Sequence, residues 1–333
     1  MKSIFGKIAI CLALTSIAAF AQKPAFEVAT IKPAAPMDPA KMMAAMQSGG
    51  KMPIGANVDS KRAEYTFMDL KGLIALAYSV KPYQISGPEW LGTERFDIIA
   101  KLPDGATKDD APKMLQSLLE DRFKLTTHRS SAEHPVLALV VARGGLKLKA
   151  STQTPVAIDE TAPLKPGEMK MDGPDGPIRI SVSPATGSAV VDMGLKGKMS
   201  YKMNPANQSM RMDFSMVTLE GLADMMTQMF TQLGGAAGRQ VVDMTEIKGN
   251  YEASVEISLA DLMAIARNAG MDGGMGGPGG AAPTSGAPVA SDPSGGAASL
   301  TEAVNSMGLK LESRKAVVAQ FVVDHVEKTP TEN

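Results

Sequence analysis

The chain holds three histidines, His128, His134 and His325, and imidazole is the side chain that moves protons or binds metal near neutral pH. His128 follows the apolar run Phe123 to Thr126, and His325 ends the last apolar strand beside Asp324. Either histidine with Asp324 would make the acid–base pair of a secreted hydrolase. His134 precedes Pro135 and reads as a loop residue. No two of the three stand at ligand spacing on a helix, so no metal site is expected. There is no Gly-x-Ser-x-Gly elbow for a serine nucleophile. Glu120 and Asp121 are helix neighbours that point roughly a hundred degrees apart, which argues against a carboxylate pair. Asp172-Gly173-Pro174-Asp175-Gly176 lacks the ligand series and the closing glutamate of a calcium loop.

Methionine is abundant, with 24 in the chain. It clusters at Met42, Met43 and Met46, at Met199, Met203, Met210 and Met212, and at Met225, Met226 and Met229. Exported thioether clusters can handle Cu(I); the plainer reading, which we favour, is that methionine fills irregular core gaps. The single tryptophan, Trp90, lies in the corner Gly87-Pro88-Glu89-Trp90-Leu91-Gly92, close in sequence to Tyr83 and Arg95. An aromatic at a corner between rigid strands can stack on a sugar or a peptide side chain. Trp90, Tyr83, Arg95 and His128 are therefore the candidate contact residues. No catalytic residue, cofactor or metal is assigned.

Elements must hold these residues in place. Leu70, Leu73, Ile74 and Ala77 recur at offsets of three and four, which predicts a helix from an Asp69 N-cap. Lys81-Pro82 must end it. Tyr83 to Ser86 and Phe96 to Leu102 read as strands around the Trp90 corner. A degraded copy returns from Val217 to Ser258, with Leu219, Leu222, Ala223 and Met226 repeating the stripe and Tyr251 to Ile257 the strand. Each copy is followed by a helix, Pro112 to Arg122 or Leu300 to Met307, and then by strands Val136 to Ala142 or Val317 to Val323. Ser299 with Glu302 would cap the last helix as a capping box. The expected fold class is α+β: an internal duplication of a helix-hairpin-helix-hairpin unit, with mostly antiparallel sheets and helices packed on one face.

The expected organisation runs as follows. Residues 1–21, with Lys2 and Lys7 before the apolar run Ile8 to Ala19 and a small-residue site near Ala21, form a secretory signal peptide, which leaves no membrane span once removed. Residues 22–150 make the first α+β half, 151–213 a Pro/Gly-rich hairpin linker, and 214–333 the second half, with a flexible Gly/Pro/Ala insertion at 270–298. Cys11, the one cysteine, lies in the leader, so disulfide and thiolate chemistry are excluded afterwards. With 34 basic and 35 acidic residues the chain carries no electrostatic footprint for nucleic acid.

Several segments together carry a resemblance: Phe26-Glu27-Val28-Ala29-Thr30-Ile31-Lys32-Pro33, Gly87-Pro88-Glu89-Trp90-Leu91, Glu94-Arg95-Phe96-Asp97-Ile98 and Leu115 to Leu125. Near the C-terminus, Gly308-Leu309-Lys310-Leu311-Glu312 and Val323-Asp324-His325-Val326-Glu327 add to it. The chain resembles an uncharacterised, soil-associated family of secreted proteins expanded in acidobacteria. That resemblance implies an exported domain of unknown function, attached in some members to a membrane metallopeptidase of the antibiotic-sensor type. No His-Glu-x-x-His is present here, so peptidase activity is not carried over. The expectation is an exported, periplasmic or extracellular, non-enzymatic module binding a peptide, glycan or cell-envelope component between its halves. The hydrolase built on His128 or His325 with Asp324, and the copper-handling protein, stand as alternatives.

Overall fold

Alternation of period two, more than helical periodicity, shapes this chain. In Tyr251–Ser258, Ala253, Val255 and Ile257 are buried while Glu252, Ser254 and Glu256 face out, as a pleated strand on a core requires. The computed structural model describes residues 23–36, 50–51, 54–173, 176–183, 185–232, 239–260 and 295–331. The leader, the run Met42 to Met46 and the insertion 270–298 up to residue 294 lie outside the described residues.

In chain order the strands are β1 (Val28–Pro33), β2 (Gly50–Lys51), β3 (Gly55–Val58), β4 (Arg62–Asp69), β5 (Ile85–Ser86), β6 (Arg95–Lys101), β7 (Thr126–Val141) and β8 (Lys149–Ala150). There follow β9 (Glu168–Gly173), β10 (Gly176–Ser183), β11 (Ser188–Asp192), β12 (Lys198–Asn204), β13 (Ser209–Val217), β14 (Val241–Asp243), β15 (Tyr251–Ser258) and β16 (Leu309–His325). The helices are α1 (Leu70–Tyr78), α2 (Ala111–Arg122), α3 (Leu219–Gln232) and α4 (Gly295–Ser306).

One sheet of twelve strands runs β1-β6-β4-β3-β9-β10-β11-β12-β13-β15-β8, with β2 beside β9. Its pairings are antiparallel apart from the parallel contact of β2 with β9. A second sheet of four strands is ordered β14-β7-β16-β5. There β7 and β16, of 16 and 17 residues, pair antiparallel along their lengths, and β14 and β5 join them in parallel.

This overturns the expected fold class. The chain is sheet-dominated and is not built of helix-hairpin-helix-hairpin units with helices on one face. Two physical reasons account for the error. The alternating pieces between 151 and 213, expected as linker hairpins, pair without a break and weld the strands on either side into one sheet. The short apolar runs expected as ordinary strands are the buried ends of β7 and β16, whose solvated middles carry little hydrophobic pattern. The few helices have separate supports: α1 lies on α2 and β4, α3 on β14, and α4 on β15 and β16.

Asp69 caps α1, its Oδ1 accepting from the Gly72 N–H at 2.7 Å, and the helix ends at Ser79 in the left-handed region. By contrast α4 starts at Gly295, so Ser299 is inside the helix and is no N-cap. Ala297 and Ala298, strong helix formers, continue it upstream. The last residues of the expected insertion are thus helical.

Two apolar cores result. The first gathers Leu70, Leu73 and Ile74 of α1, Leu115 and Leu119 of α2, Ile98 and Phe123. The second gathers Leu222, Met226 and Phe230 of α3 with Phe214, Val255, Leu300 and Val304. Phe321 and Val323 of β16 enter the first core, and Leu139 of β7 and Leu309 of β16 the second, so the long two-stranded ribbon ties them together.

Candidate functional site

The ribbon is covered along its outer edges only in part. β5 pairs with β16 at Phe321 and Val322 alone, and β14 with β7 from Leu137 to Leu139. The cause of β5's shortness is Pro82, which has no N–H for a ladder. Pro82–Gln84 turn as a 3₁₀ helix instead, with the Lys81 N–H donating to the Gln84 side-chain oxygen at 3.0 Å. Among the described residues no strand pairs with β16 on that side ahead of Phe321. Where the turn stands off, a groove of about 230 Å³ opens, lined by Val80, Gln84, Arg129, Ser131, Ala319 and Phe321 among others. Its aromatic floor is fixed. Phe321 packs on Tyr78 with ring centroids 4.7 Å apart, and the Arg129 guanidinium lies 5.6 Å from the Phe321 centroid while donating to the Tyr78 carbonyl at 3.3 Å.

The four candidate contact residues occupy different settings. Trp90 sits in the 3₁₀ turn Glu89–Gly92, half-buried against the first core, and its carbonyl accepts from the Thr93 and Glu94 N–H groups. Arg95 braces a bulge of β4. It lies 3.6 Å from Asp69, donates to the Phe67 carbonyl at 3.3 Å, and its guanidinium is 4.8 Å from the Phe67 ring centroid. Tyr83 donates its hydroxyl to Asp224 of α3, which also receives the Lys81 ammonium. Burial, reinforced by the Glu220 carboxylate, pushes the Tyr83 phenol up to about 12. Tyr83 thus joins the turn of the first core to the helix of the second, close to the groove lined by Gln84.

His128 meets a partner suited to proton transfer. Its Nδ1 lies 2.8 and 2.9 Å from the two oxygens of Asp324. Val322 of β16 stands opposite His128, so Asp324, two residues on at the register shift between Val323 and His325, reaches it diagonally across the ribbon. His325 pairs with Thr126 and is exposed. Such a pair orients an imidazole for proton transfer, but it lies open on the strand surface, with side chains 54% and 45% exposed. His134, expected in a loop, belongs to β7, and its buried Nε2 has no hydrogen-bond partner among the described residues.

The methionines are packing residues where they can be placed. Met212, Met216, Met226 and Met229 are buried, and Met203 stands opposite Met210 across β12 and β13. Among the described residues no group of three or more His, Cys, Asp or Glu side chains is placed to hold a metal. Sequence reasoning missed Asp224, Arg129 and Phe321; the only local hint was the Lys81-Pro82-Tyr83 break.

Comparison with curated proteins finds no match, and comparison with solved structures finds none either. A family model described as a protein of unknown function, DUF3738, matches residues 71–326, from the start of α1 to just beyond β16. It takes in the second core, most of the first, the ribbon and the groove, and the chain belongs to the DUF3738 family.

Proposed function

We propose that this chain is an exported binding module that takes an extended peptide of the cell envelope as an added strand along the open edge of β16. The observation that carries the reading is the uncovered edge of β16 ahead of Phe321, with the groove beside it. An unpaired edge offers a row of backbone donors and acceptors, and strand addition satisfies them while side-chain pockets select the sequence. Here the Gln84 amide and the Ser131 hydroxyl offer hydrogen bonds, and Phe321 with Arg129 offers a surface for an apolar or aromatic side chain. Export, and the association with soil bacteria that the sequence resemblance implies, belong to the same proposal. It is supported by the charged, apolar, small-residue order of residues 1–21.

The test is selection of peptides on the purified mature protein, followed by titration of the best binder against variants. Ala319 is exposed and lines the groove, so Ala319→Trp fills the space without disturbing a core. A binder in about the micromolar range is expected, weakened at least tenfold by Ala319→Trp and by N-methylation of alternate peptide amides. Unchanged affinity in both cases would refute strand addition at this edge. A second reading, a hydrolase, is favoured only by the His128–Asp324 pair. It predicts turnover of an ester or peptide substrate that His128→Gln abolishes.

A further inference from the structure

The outward face of the large sheet carries a second concavity, remote in sequence from the groove. It is an open cleft of about 510 Å³ above β12, β13 and β15, walled by the chain from Lys147 to Gln153. The alternation that buries Met212, Phe214, Ala253 and Val255 beneath the sheet places Arg211, Asp213, Ser215, Glu252 and Ser254 on top. Across the strands Ser200, Asp213 and Ser254 stand in one row. Lys147, Lys149, Lys198 and Arg211 line the cleft against two carboxylates, Asp213 and Glu252. The cleft is therefore positive on balance, although the chain as a whole is near neutral.

Arg211 is the fixed cation among them. Its Nε donates to Asp213 at 2.7 Å and its Nη2 to the Ser254 hydroxyl at 3.0 Å, while Ser254 in turn donates to Asp213. Burial pushes the Asp213 carboxyl up, but the Ser254 hydroxyl and the Arg211 guanidinium outweigh it and hold the group below its ordinary value. Asp213 so stays charged as the brace. The remaining Arg211 donors, on a side chain 56% exposed, form a pre-set fork suited to a carboxylate. Lys149, 3.5 Å from Glu252, and Lys198, 3.0 Å from Asp192, are exposed and loosely held.

We infer that this cleft is a binding site for an acidic polysaccharide, with Arg211 receiving a uronate carboxylate and the serine row hydrogen-bonding sugar hydroxyls. Three features favour a saccharide over a simple anion. The cleft's volume of about 510 Å³ lies in the range of small-ligand sites and exceeds what a simple anion fills. Hydroxyl and amide groups, Ser200, Ser215, Ser254 and Gln153, alternate with the charges. The two carboxylates that would repel a bare polyanion are acceptors for sugar hydroxyls.

The test uses the mature protein with oligogalacturonate as probe, its methyl ester as the neutral counterpart and inorganic phosphate as the simple anion. Calorimetric titration should show binding of oligogalacturonate, at least tenfold weaker for the ester, and weaker still for phosphate. Arg211→Gln should cost about tenfold, and Lys147→Gln with Lys198→Gln, both at exposed positions, should lower affinity and flatten its salt dependence. Equal binding of the ester, tighter binding of phosphate, or an affinity indifferent to the lysine pair would each overturn the inference. The lysine variant keeps the test decisive if Arg211→Gln fails to fold.

Discussion

Asp224 on α3 receives two groups from the turn after α1, the Tyr83 hydroxyl and the Lys81 ammonium, and a double-mutant cycle measures what that clasp is worth. A phenol on a carboxylate, half exposed to water, contributes about 1 kcal/mol net. The Lys81 pair, with the lysine 45% exposed, adds well under about 1 kcal/mol. Tyr83→Phe should therefore lower unfolding free energy by about 1 kcal/mol and Asp224→Ala by about 2 kcal/mol. The double variant should lose about 2 kcal/mol rather than the sum, a coupling near 1 kcal/mol in urea titrations followed by circular dichroism. The pH dependence reads the burial of the phenol beside Glu220, separately from the Asp224 contact. The folded-state pKa of Tyr83 is raised to about 12, so its contribution is complete below the ordinary phenol value and is lost as pH rises through about 12. Screening of the half-exposed ring limits that loss to about 1 kcal/mol. Tyr83→Phe should remove this part of the alkaline fall in stability. Additive single effects, with coupling below about 0.3 kcal/mol, would refute the clasp and return Tyr83 to the list of free contact residues.

Three further outcomes test how the elements are held. Phe67 stands at φ 55° with its N–H on the Asp97 carboxylate at 2.8 Å; Asp97→Ala should cost about 1–3 kcal/mol in a urea titration, and Asp97→Asn much less. Thr227, 1% exposed, accepts from the Val241 N–H at 2.8 Å and donates to the Ala223 carbonyl at 2.9 Å. Thr227→Val should orphan the first amide of β14, cost about 1–3 kcal/mol and speed hydrogen exchange at Val241, whereas Thr227→Ser should not. Gly308, at φ +76°, would carry a Cβ 2.1 Å from the Gly145 carbonyl oxygen. Gly308→Ala should therefore destabilise by about 3 kcal/mol or more, read as a lowered thermal midpoint or loss of soluble protein.

What could be read from the sequence was what short-range chemistry determines. The α1 stripe, its Asp69 cap and its end before Lys81-Pro82 all lie in the one short segment from Asp69 to Pro82, and each stands as expected. The sheet did not yield to the same reasoning, because its strongest determinant is pairing between distant segments. Thr126 to Pro135 alternates no apolar residues, yet it is strand because β16 lies against it. The candidate site shows the same division. His128 and Asp324 were legible as chemical types, and the pairing of β7 with β16 brings them together from 196 residues apart. Tyr83 was picked as an aromatic near a corner, while its partner Asp224, 141 residues away, left no local trace.

The distribution of charge along β16 bears on where a partner strand would sit. Natural edges resist unwanted pairing by placing charged side chains along them. In β16 such residues are dense at the start: Lys310, Glu312, Arg314 and Lys315, in ion pairs with one another or with Glu133 of β7. From Ala316 to Val323 there is no charge at all, and Val317 is 73% exposed. Opposite Val318, Ala319 and Gln320 lie Ala132, Ser131 and Ser130, equally uncharged. The guarded stretch ends where the groove begins, since Ala319, Gln320, Ser130 and Ser131 are among its lining residues. A strand edge open ahead of Phe321 and uncharged from Ala316 to Val323, beside a groove, is what the proposed strand addition requires. Val318, Phe321 and Val323 are uncharged because they are buried, so the outward Val317 and Ala319 are the positions whose lack of charge bears on strand addition.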